Sequence, residues 1–145
     1  MPTDLLVFMT WKTLGGEPSL DEAEATRLLD MLPVLARRVR CQLLEIAVLS
    51  NHVHVVASLP EPMPMSLLAQ RLKGASSRLL NLQRAKRMKW AHGYHVKTIS
   101  REALHVVRRY LDGQSDKHRL PWVKRWCYGM QVPVTCMDEP SEVVV

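Results

Sequence analysis

The sequence predicts an α+β fold in which helices cover one antiparallel sheet. Short apolar segments with strand-type alternation are interleaved with longer segments whose apolar residues recur at helical spacing. The chain has 145 residues, of which 47% are hydrophobic, and this is the size of one globular domain with a single core. We therefore expect one domain over residues 1–120 and a partly disordered C-terminal extension over residues 121–145.

The first strand and the first helix are predicted by the first 40 residues. Residues 5–13 are rich in strand formers, and a Gly-Gly pair then ends the strand. Ser19 and Glu22 form a capping-box pattern that predicts the start of a helix. The buried stripe of this helix is Leu28, Leu32, Leu35 and Val39. Because Pro33 lacks an amide hydrogen, we expect a kink or a break near Met31.

Residues 43–49 and 53–59 read as two adjacent strands joined by a tight turn at Ser50 and Asn51. Side chains of a strand point alternately to the two faces of the sheet. The face suited to a core carries Val53, Val55 and Ala57. The opposite face carries His52, His54 and Val56. If both helices cover the first face, the histidine face stays open for a ligand.

The second half of the domain is predicted to add two helices and a fourth strand. After a proline-rich segment, a second amphipathic helix is marked by Leu67, Leu68, Leu72, Ala75, Leu79 and Leu82. Residues 94–99 alternate as a fourth strand, and Ser100 can cap a third helix that packs through Leu104, Val107 and Leu111. The order βαββαβ is the ferredoxin-like arrangement, which RNA-recognition (RRM-like) domains share, with an additional C-terminal helix.

Charge is segregated along the chain, whose net charge is +6. Residues 1–61 hold eight acids and five Lys or Arg, whereas residues 62–101 hold nine bases and no acid. Such a basic block is typical either of a solvated helix face or of a nucleic-acid interface. Three cysteines without C-x-x-C spacing, no signal peptide and no apolar run of about 20 residues predict a soluble cytoplasmic protein without a membrane segment.

His52 and His54 are the first candidate for chemistry. Two imidazoles at positions i and i+2 of a strand lie on one face a few ångströms apart, so both can bind one metal ion. The alternative is a pair of half-buried histidines that make hydrogen bonds on the sheet surface.

Tyr110 and Gln114 are the second candidate, because a spacing of four residues presents a phenol and an amide on the same side of a helix. A tyrosine on an amphipathic helix is usually a core residue with a solvated hydroxyl. Here the packing stripe is complete without Tyr110, which has Arg108 and Arg109 beside it. Gly113 is a good helix terminator, so the orientation of Gln114 depends on where this helix ends.

These motifs occur together in one order: Asn51-His-Val-His54, Leu72-Lys-Gly-Ala-Ser-Ser-Arg78, Trp90-Ala-His-Gly-Tyr94 and Tyr110-Leu-Asp-Gly-Gln114. In this order and spacing, the sequence resembles the HUH-type single-tyrosine transposases of small bacterial insertion sequences (the IS200-like transposases), including the REP-associated tyrosine transposases. The resemblance covers roughly residues 5–114.

The resemblance implies a metal-dependent DNA strand transferase. It implies that His52, His54 and Gln114 bind Mg²⁺ or Mn²⁺ and that Tyr110 attacks single-stranded DNA, giving a 5′-phosphotyrosine and a free 3′-hydroxyl. It also implies imperfect DNA hairpins as the recognised substrate, and a homodimer in which the tyrosine helix of one subunit can serve the histidines of the other in trans.

The basic block supplies the expected DNA contacts. Its phosphate-binding candidates are Arg71, Lys73, Arg78, Arg84, Lys86, Arg87 and Lys89, and the rings available for base stacking are Trp90 and Tyr94. Two alternatives stay open. One is a non-catalytic nucleic-acid-binding module, although the chain has a single Phe, Phe8, and lacks the RNP aromatic pattern. The other is a metal-dependent nuclease in which water attacks and Tyr110 only packs.

Overall fold

The computed structural model describes residues 4–60 and 63–129. Five strands occur in this part of the chain: β1 (Leu5–Lys12), β2 (Gln42–Val48), β3 (His52–Leu59), β4 (His95–Thr98) and β5 (Lys124–Cys127). The helices are α1 (Glu22–Arg37), α2 (Met65–Asn81), α3 (Leu104–Asp112) and α4 (Gln114–His118), with 3₁₀ turns at Leu14–Gly16 and Arg101–Ala103. Among the described residues, no helix has the length and apolar character needed to cross a bilayer.

The strands form one sheet in the order β4-β1-β3-β2-β5, and every neighbouring pair is antiparallel. The first four strands have the ferredoxin-like order, so the predicted α+β fold class is confirmed. Strand β5 is an addition that sequence reasoning missed, because its four residues, Lys-Arg-Trp-Cys, carry no clear alternation. The proposed domain boundary at residue 120 stays a prediction, and residues 130–145 of the extension lie outside the described residues.

The main core lies between the sheet and the pair α1 and α2. The predicted inward face of β3 is confirmed, because Val53, Val55 and Ala57 all belong to this cluster. The helices contribute Leu28, Leu32, Leu35, Leu68, Leu72 and Leu80. Full burial of each such side chain stabilises the fold by about 1.5–3 kcal/mol.

The opposite face of the sheet is covered as well, which corrects the expectation of an open histidine face. Helix α3 packs Val107 and Leu111 against Ala47 and Val56 of the sheet. These apolar groups would otherwise face water, so the helix that follows β4 folds back over them. Only a pocket beside the histidines remains accessible.

Helix α1 begins two residues later than its capping motif predicted. Asp21 is the N-cap: its carboxylate accepts from the Glu24 amide at 2.7 Å, and Glu24 Oε1 accepts from the Asp21 amide at 3.2 Å. Ser19 instead donates to the carbonyl of Glu17. Ser100 precedes the second 3₁₀ turn, but its side chain makes no capping hydrogen bond.

Pro33 lies inside α1 without breaking it, since the helix runs from Glu22 to Arg37. The predicted break near Met31 is therefore wrong, and the alternative, a kink, stays a prediction. Buried side chains on both sides of the proline, Leu32 and Leu35 among them, hold this segment against the sheet. Packing of this kind outweighs the loss of one helical hydrogen bond.

Candidate active site

His52 and His54 lie side by side on β3, as the alternation predicted. Their ring centroids are 4.8 Å apart and the rings are nearly perpendicular, at 87°. The two residues are only 7% and 5% exposed, because α3 and the residues that follow it cover this end of the strand. Both imidazoles therefore work in a largely water-free environment.

Each imidazole is fixed through its Nδ1 atom. Nδ1 of His54 lies 2.7 Å from Oγ1 of Thr10, the residue directly opposite it on β1. Nδ1 of His52 donates to Oδ1 of Asn51 at 2.6 Å, and the Asn51 amide group in turn donates to the carbonyl of Gly16 at 3.3 Å. These contacts orient both Nε2 atoms towards the same point, as the outer partners of metal-binding histidines do.

Gln114 meets the two histidines at that point. Its Oε1 lies 2.8 Å from Nε2 of His54 and 3.4 Å from Nε2 of His52, and the side chain is fully buried. Helix α3 does end before Gly113, as the sequence indicated. However, α4 starts at once with Gln114, whose side-chain Nε2 donates to the Tyr110 carbonyl oxygen at 3.4 Å. The short break therefore leaves Gln114 pointing at the histidines.

The histidine pair is held neutral near pH 7. Burial, together with the neighbouring His52, lowers the pKa of His54 to about 3. Burial also lowers the pKa of His52 to about 4, while its hydrogen bond to Gln114 opposes the shift. Neutral imidazoles are the form that binds metal ions.

The donor set fits a divalent cation. Because Asn51 Oδ1 can only accept, the His52 proton is on Nδ1, and its Nε2 lone pair then faces the lone pairs of Gln114 Oε1. Lone pairs that face each other repel, and a cation bound between these atoms would remove the repulsion. Among the described residues, no three His, Cys, Asp or Glu side chains are close enough to share a metal, so the candidate set consists of two imidazoles and an amide oxygen.

Tyr110 lies beside His54 of the same chain. Its ring centroid is 6.0 Å from that of His54, and Phe8 packs against the ring edge at 6.1 Å. The residue is 38% exposed, so it is not a core tyrosine. The ammonium group of Lys117 lies 4.9 Å from the ring centroid.

A pocket of about 370 Å³ joins the phenol to the histidines. Its wall contains the basic side chains of Lys12, His95 and His118. The His118 ring centroid is 4.9 Å from that of His52, a proximity that sequence reasoning missed. A spacing of four residues from Gln114, on the short helix α4, was the available signal. A larger pocket of about 520 Å³, between residues 14–19 and 84–89, contains none of the predicted catalytic or metal-binding residues.

The predicted DNA-binding residues fall into two groups. Five of them are exposed: Arg71, Arg78, Lys86, Arg87 and Lys89. The other four are half-buried and packed inside the chain: Lys73, Arg84, Trp90 and Tyr94.

The half-buried members organise the surface that carries the exposed ones. Lys73 donates to the carbonyls of Ala91 and Gly93 at 2.8 and 2.6 Å. Trp90 donates from Nε1 to Ser76 at 3.1 Å and packs edge-on against a core tryptophan.

Arg84 is engaged in a different part of the surface. It forms an ion pair with the buried carboxylate of Glu24 at 2.6 Å, so its guanidinium already has an anionic partner.

Comparison with known proteins identifies the family and the fold. A family model described as "Transposase IS200 like" matches residues 9–114, and no curated protein sequence matches the chain significantly. Solved structures with a similar fold include a transposase candidate from Deinococcus radiodurans R1, with 23% identity, a TM-score of 0.61 and coverage of 77% of this chain and 91% of that one.

Two further structures share the fold. A REP-associated tyrosine transposase bound to a REP hairpin has 18% identity, a TM-score of 0.62 and coverage of 82% of this chain and 75% of that one. A bacterial tRNA(His) guanylyltransferase-like protein in complex with GTP has 8% identity, a TM-score of 0.54 and coverage of 81% and 65%. Since the family model spans most of the chain, this protein belongs to the IS200-like transposase family.

Proposed function

We propose that this chain cleaves and rejoins single-stranded DNA with Tyr110 as the nucleophile and with a divalent cation held by His52, His54 and Gln114. One observation carries the proposal: three metal-type donor atoms from two distant elements converge beside an exposed phenol. A structural tyrosine and a structural histidine pair would not need this arrangement.

The cation is proposed as Mg²⁺ or Mn²⁺. Carbonyl-type oxygen suits both ions, and the two neutral imidazoles supply nitrogen ligands that need no deprotonation at neutral pH. When bound, such an ion stabilises the negative charge that develops on the phosphate and on the leaving oxygen.

Residues of the chain itself carry out the cleavage of the phosphodiester. The Tyr110 oxygen forms a bond to phosphorus, the bond from phosphorus to the 3′-oxygen breaks, and the phenolic proton is balanced by the proton that the free 3′-hydroxyl gains. The phosphotyrosine retains the energy of the phosphodiester, so a 3′-hydroxyl can reverse the step and rejoin DNA without ATP. The pocket has a basic wall for the phosphates, formed by Lys12, His95 and His118. The Lys117 ammonium group adds a positive charge beside the Tyr110 ring.

A DNA hairpin is the proposed partner. The structural relative bound to a REP hairpin supports this class of substrate, and so do the exposed bases on α2 and on the loop after it. We assign the phosphate contacts to Arg71, Arg78, Lys86, Arg87 and Lys89. We propose that the four half-buried residues support this surface and do not make the main DNA contacts: Lys73, Arg84, Trp90 and Tyr94.

The homodimer expected from the resemblance stays a prediction. The distances within one chain favour a cis arrangement, because Tyr110 and His54 already lie beside each other. An exchange of α3 between two subunits would have to separate α3 from its apolar contacts with Ala47 and Val56.

Covalent trapping tests the proposal. The protein is incubated with end-labelled single-stranded hairpin DNA and Mn²⁺ and analysed on a denaturing gel. A protein-DNA adduct is expected for the natural sequence and not for Tyr110→Phe. Cleavage without an adduct would support the water-using nuclease, and hairpin binding without cleavage would support the non-catalytic module.

A further inference from the structure

A buried carboxylate lies on the α3 side of the sheet, outside the candidate site. Glu45 of β2 is fully buried. The pairing of β2 with β3 slips by one residue here: Leu43 lies opposite Ala57, whereas Glu45 lies opposite Val56. Without this bulge, Glu45 would share the core-facing side with Leu43. The bulge therefore turns a carboxylate towards α3, which is a common role of β-bulges.

Both oxygens of this carboxylate are engaged by arginines from different elements. Oε2 accepts from Nε of Arg108 on α3 at 2.6 Å, and Oε1 accepts from Nη2 of Arg125 on β5 at 2.7 Å. Arg125 then donates from Nε to Asp112, at the end of α3, at 2.7 Å. We refer to Glu45, Arg108, Asp112 and Arg125 as the ionic clamp.

The ionic clamp is balanced in charge, with two acids and two bases. The side chains of Glu45 and Arg125 are 0% and 2% exposed, so two charged groups have been taken out of water. Apolar residues of similar volume often stabilise a fold as well as buried ions do, so stability alone does not account for the clamp. The clamp is therefore better explained by geometry than by stability.

The clamp fixes the orientation of α3, the helix that carries Tyr110. Arg108 and Asp112 are four residues apart and thus lie on the same side of α3, with Tyr110 between them and Gln114 two residues beyond. A rotation of the helix by one residue would turn its side chains by about 100°. Two ionic attachments on one side prevent this rotation, and they also fix the position of the helix along its axis.

We propose that Glu45, Arg108 and Arg125 are positioning residues that hold Tyr110 and Gln114 at the histidine pair. This inference rests on the proposed function of Tyr110. The clamp can hold α3 without any contact between DNA and Glu45, Arg108 or Arg125. Misplacement of a reacting group by about 1 Å can cost about 100-fold in rate, so loosening the clamp is expected to lower the rate of the chemical step.

Arg108→Met is the test variant, because the Arg108 side chain is 51% exposed and its removal leaves the core filled. Arg109→Met is the matched control, since it removes the same charge from the next, exposed position of α3. The single-turnover rate of adduct formation at saturating hairpin DNA and Mn²⁺ is measured together with the dissociation constant of the hairpin without metal. Arg108→Lys and Glu45→Gln extend the series.

Arg108→Met is expected to form the adduct about 10- to 100-fold more slowly than Arg109→Met, with an equal hairpin dissociation constant. Arg108→Lys is expected to recover part of the rate, and Glu45→Gln to lose it. Equal rates for the two methionine variants would overturn the inference. So would a defect of Arg108→Met that is confined to hairpin affinity, since that would make Arg108 a phosphate contact.

A second measurement separates this inference from the proposed function. Amide hydrogen exchange over residues 104–114 reports directly on how firmly α3 is held. Faster exchange in Arg108→Met than in Arg109→Met supports the clamp even if the natural protein forms no adduct, in which case the proposed function fails alone. Equal exchange in the two variants would overturn the clamp.

Discussion

The side-chain oxygen of Gln114 lies 2.8 Å from Nε2 of His54, although the two residues are 60 positions apart in the chain. The contact depends on the junction at Gly113, where α3 stops and α4 begins. It places an amide oxygen against two imidazoles that are already oriented by Thr10 and Asn51.

Thr10 is expected to support metal binding without touching the metal. Thr10→Val keeps the shape of the side chain but removes the hydroxyl that contacts Nδ1 of His54. Loss of such an outer partner typically lowers metal affinity about 10- to 100-fold. Calorimetric titration with Mn²⁺ measures the change, and Thr98→Val, at an exposed position of β4, is the control. Equal affinities for the two variants would contradict this role.

The histidine pair should make the metal-free protein less stable in acid. The unfolded chain binds a proton on each histidine near pH 6.5, whereas the folded pKa values are about 4 and about 3. Below pH 6.5 the unfolded state therefore holds more protons, and the free energy of unfolding falls with falling pH. Between pH 7 and 5 the loss is about 2 kcal/mol per histidine, since each pH unit well below 6.5 costs about 1.4 kcal/mol.

Urea unfolding at pH 7 and pH 5 measures this loss. The free energy of unfolding should differ less between the two pH values in His54→Gln than in the natural protein. His105→Gln, at an exposed position, should retain the full difference. If His54→Gln showed the same difference as the natural protein, His54 would not be the source of the pH dependence.

Arg84 and Arg87 are expected to have separate roles although both belong to the basic block. Arg84→Met leaves the buried carboxylate of Glu24 without its ionic partner, which should cost about 2–3 kcal/mol and lower the Tm by about 5–10 °C. Arg87→Met, at an exposed position, should leave the Tm almost unchanged and weaken hairpin binding, with a smaller salt dependence. Thermal unfolding and binding at two salt concentrations measure both effects, and a reversed pattern would contradict the assignment.

The active site is expected to assemble within one chain. When Tyr110→Phe and His54→Ala proteins are mixed, a trans site would pair the intact histidines of one subunit with the intact tyrosine of the other and restore activity. Because Tyr110 lies beside His54 of its own chain, the mixture should remain as inactive as either variant alone. Adduct formation in the mixture would instead support exchange of α3 between subunits.

Periodicity predicted the parts of this protein that depend on local sequence. The alternation around His52 and His54 predicted which face each side chain occupies, and the spacing of Leu104, Val107 and Leu111 predicted the side of α3 that packs on the sheet. These features follow from the two-residue repeat of a strand and the 3.6-residue repeat of a helix.

Features that depend on pairing between distant segments could not be predicted in this way. The carboxylate of Glu45 is buried because a one-residue bulge turns it towards α3, and two arginines from other elements then neutralise it. Strand β5 exists because the edge of β2 is available to a short segment without a pattern of its own. Likewise, the four-residue spacing of His118 from Gln114 becomes informative only once α4 is known to begin at Gln114.

Identification of the residue that carries DNA tests the central claim most directly. The adduct formed with hairpin DNA and Mn²⁺ is digested with nuclease and trypsin, and the nucleotide-bearing peptide is sequenced by tandem mass spectrometry. The three tyrosines fall in different peptides: residues 90–97 hold Tyr94, residues 110–117 hold Tyr110, and residues 126–145 hold Tyr128. The account predicts the nucleotide on Tyr110, and a nucleotide on Tyr94 or Tyr128 would contradict it.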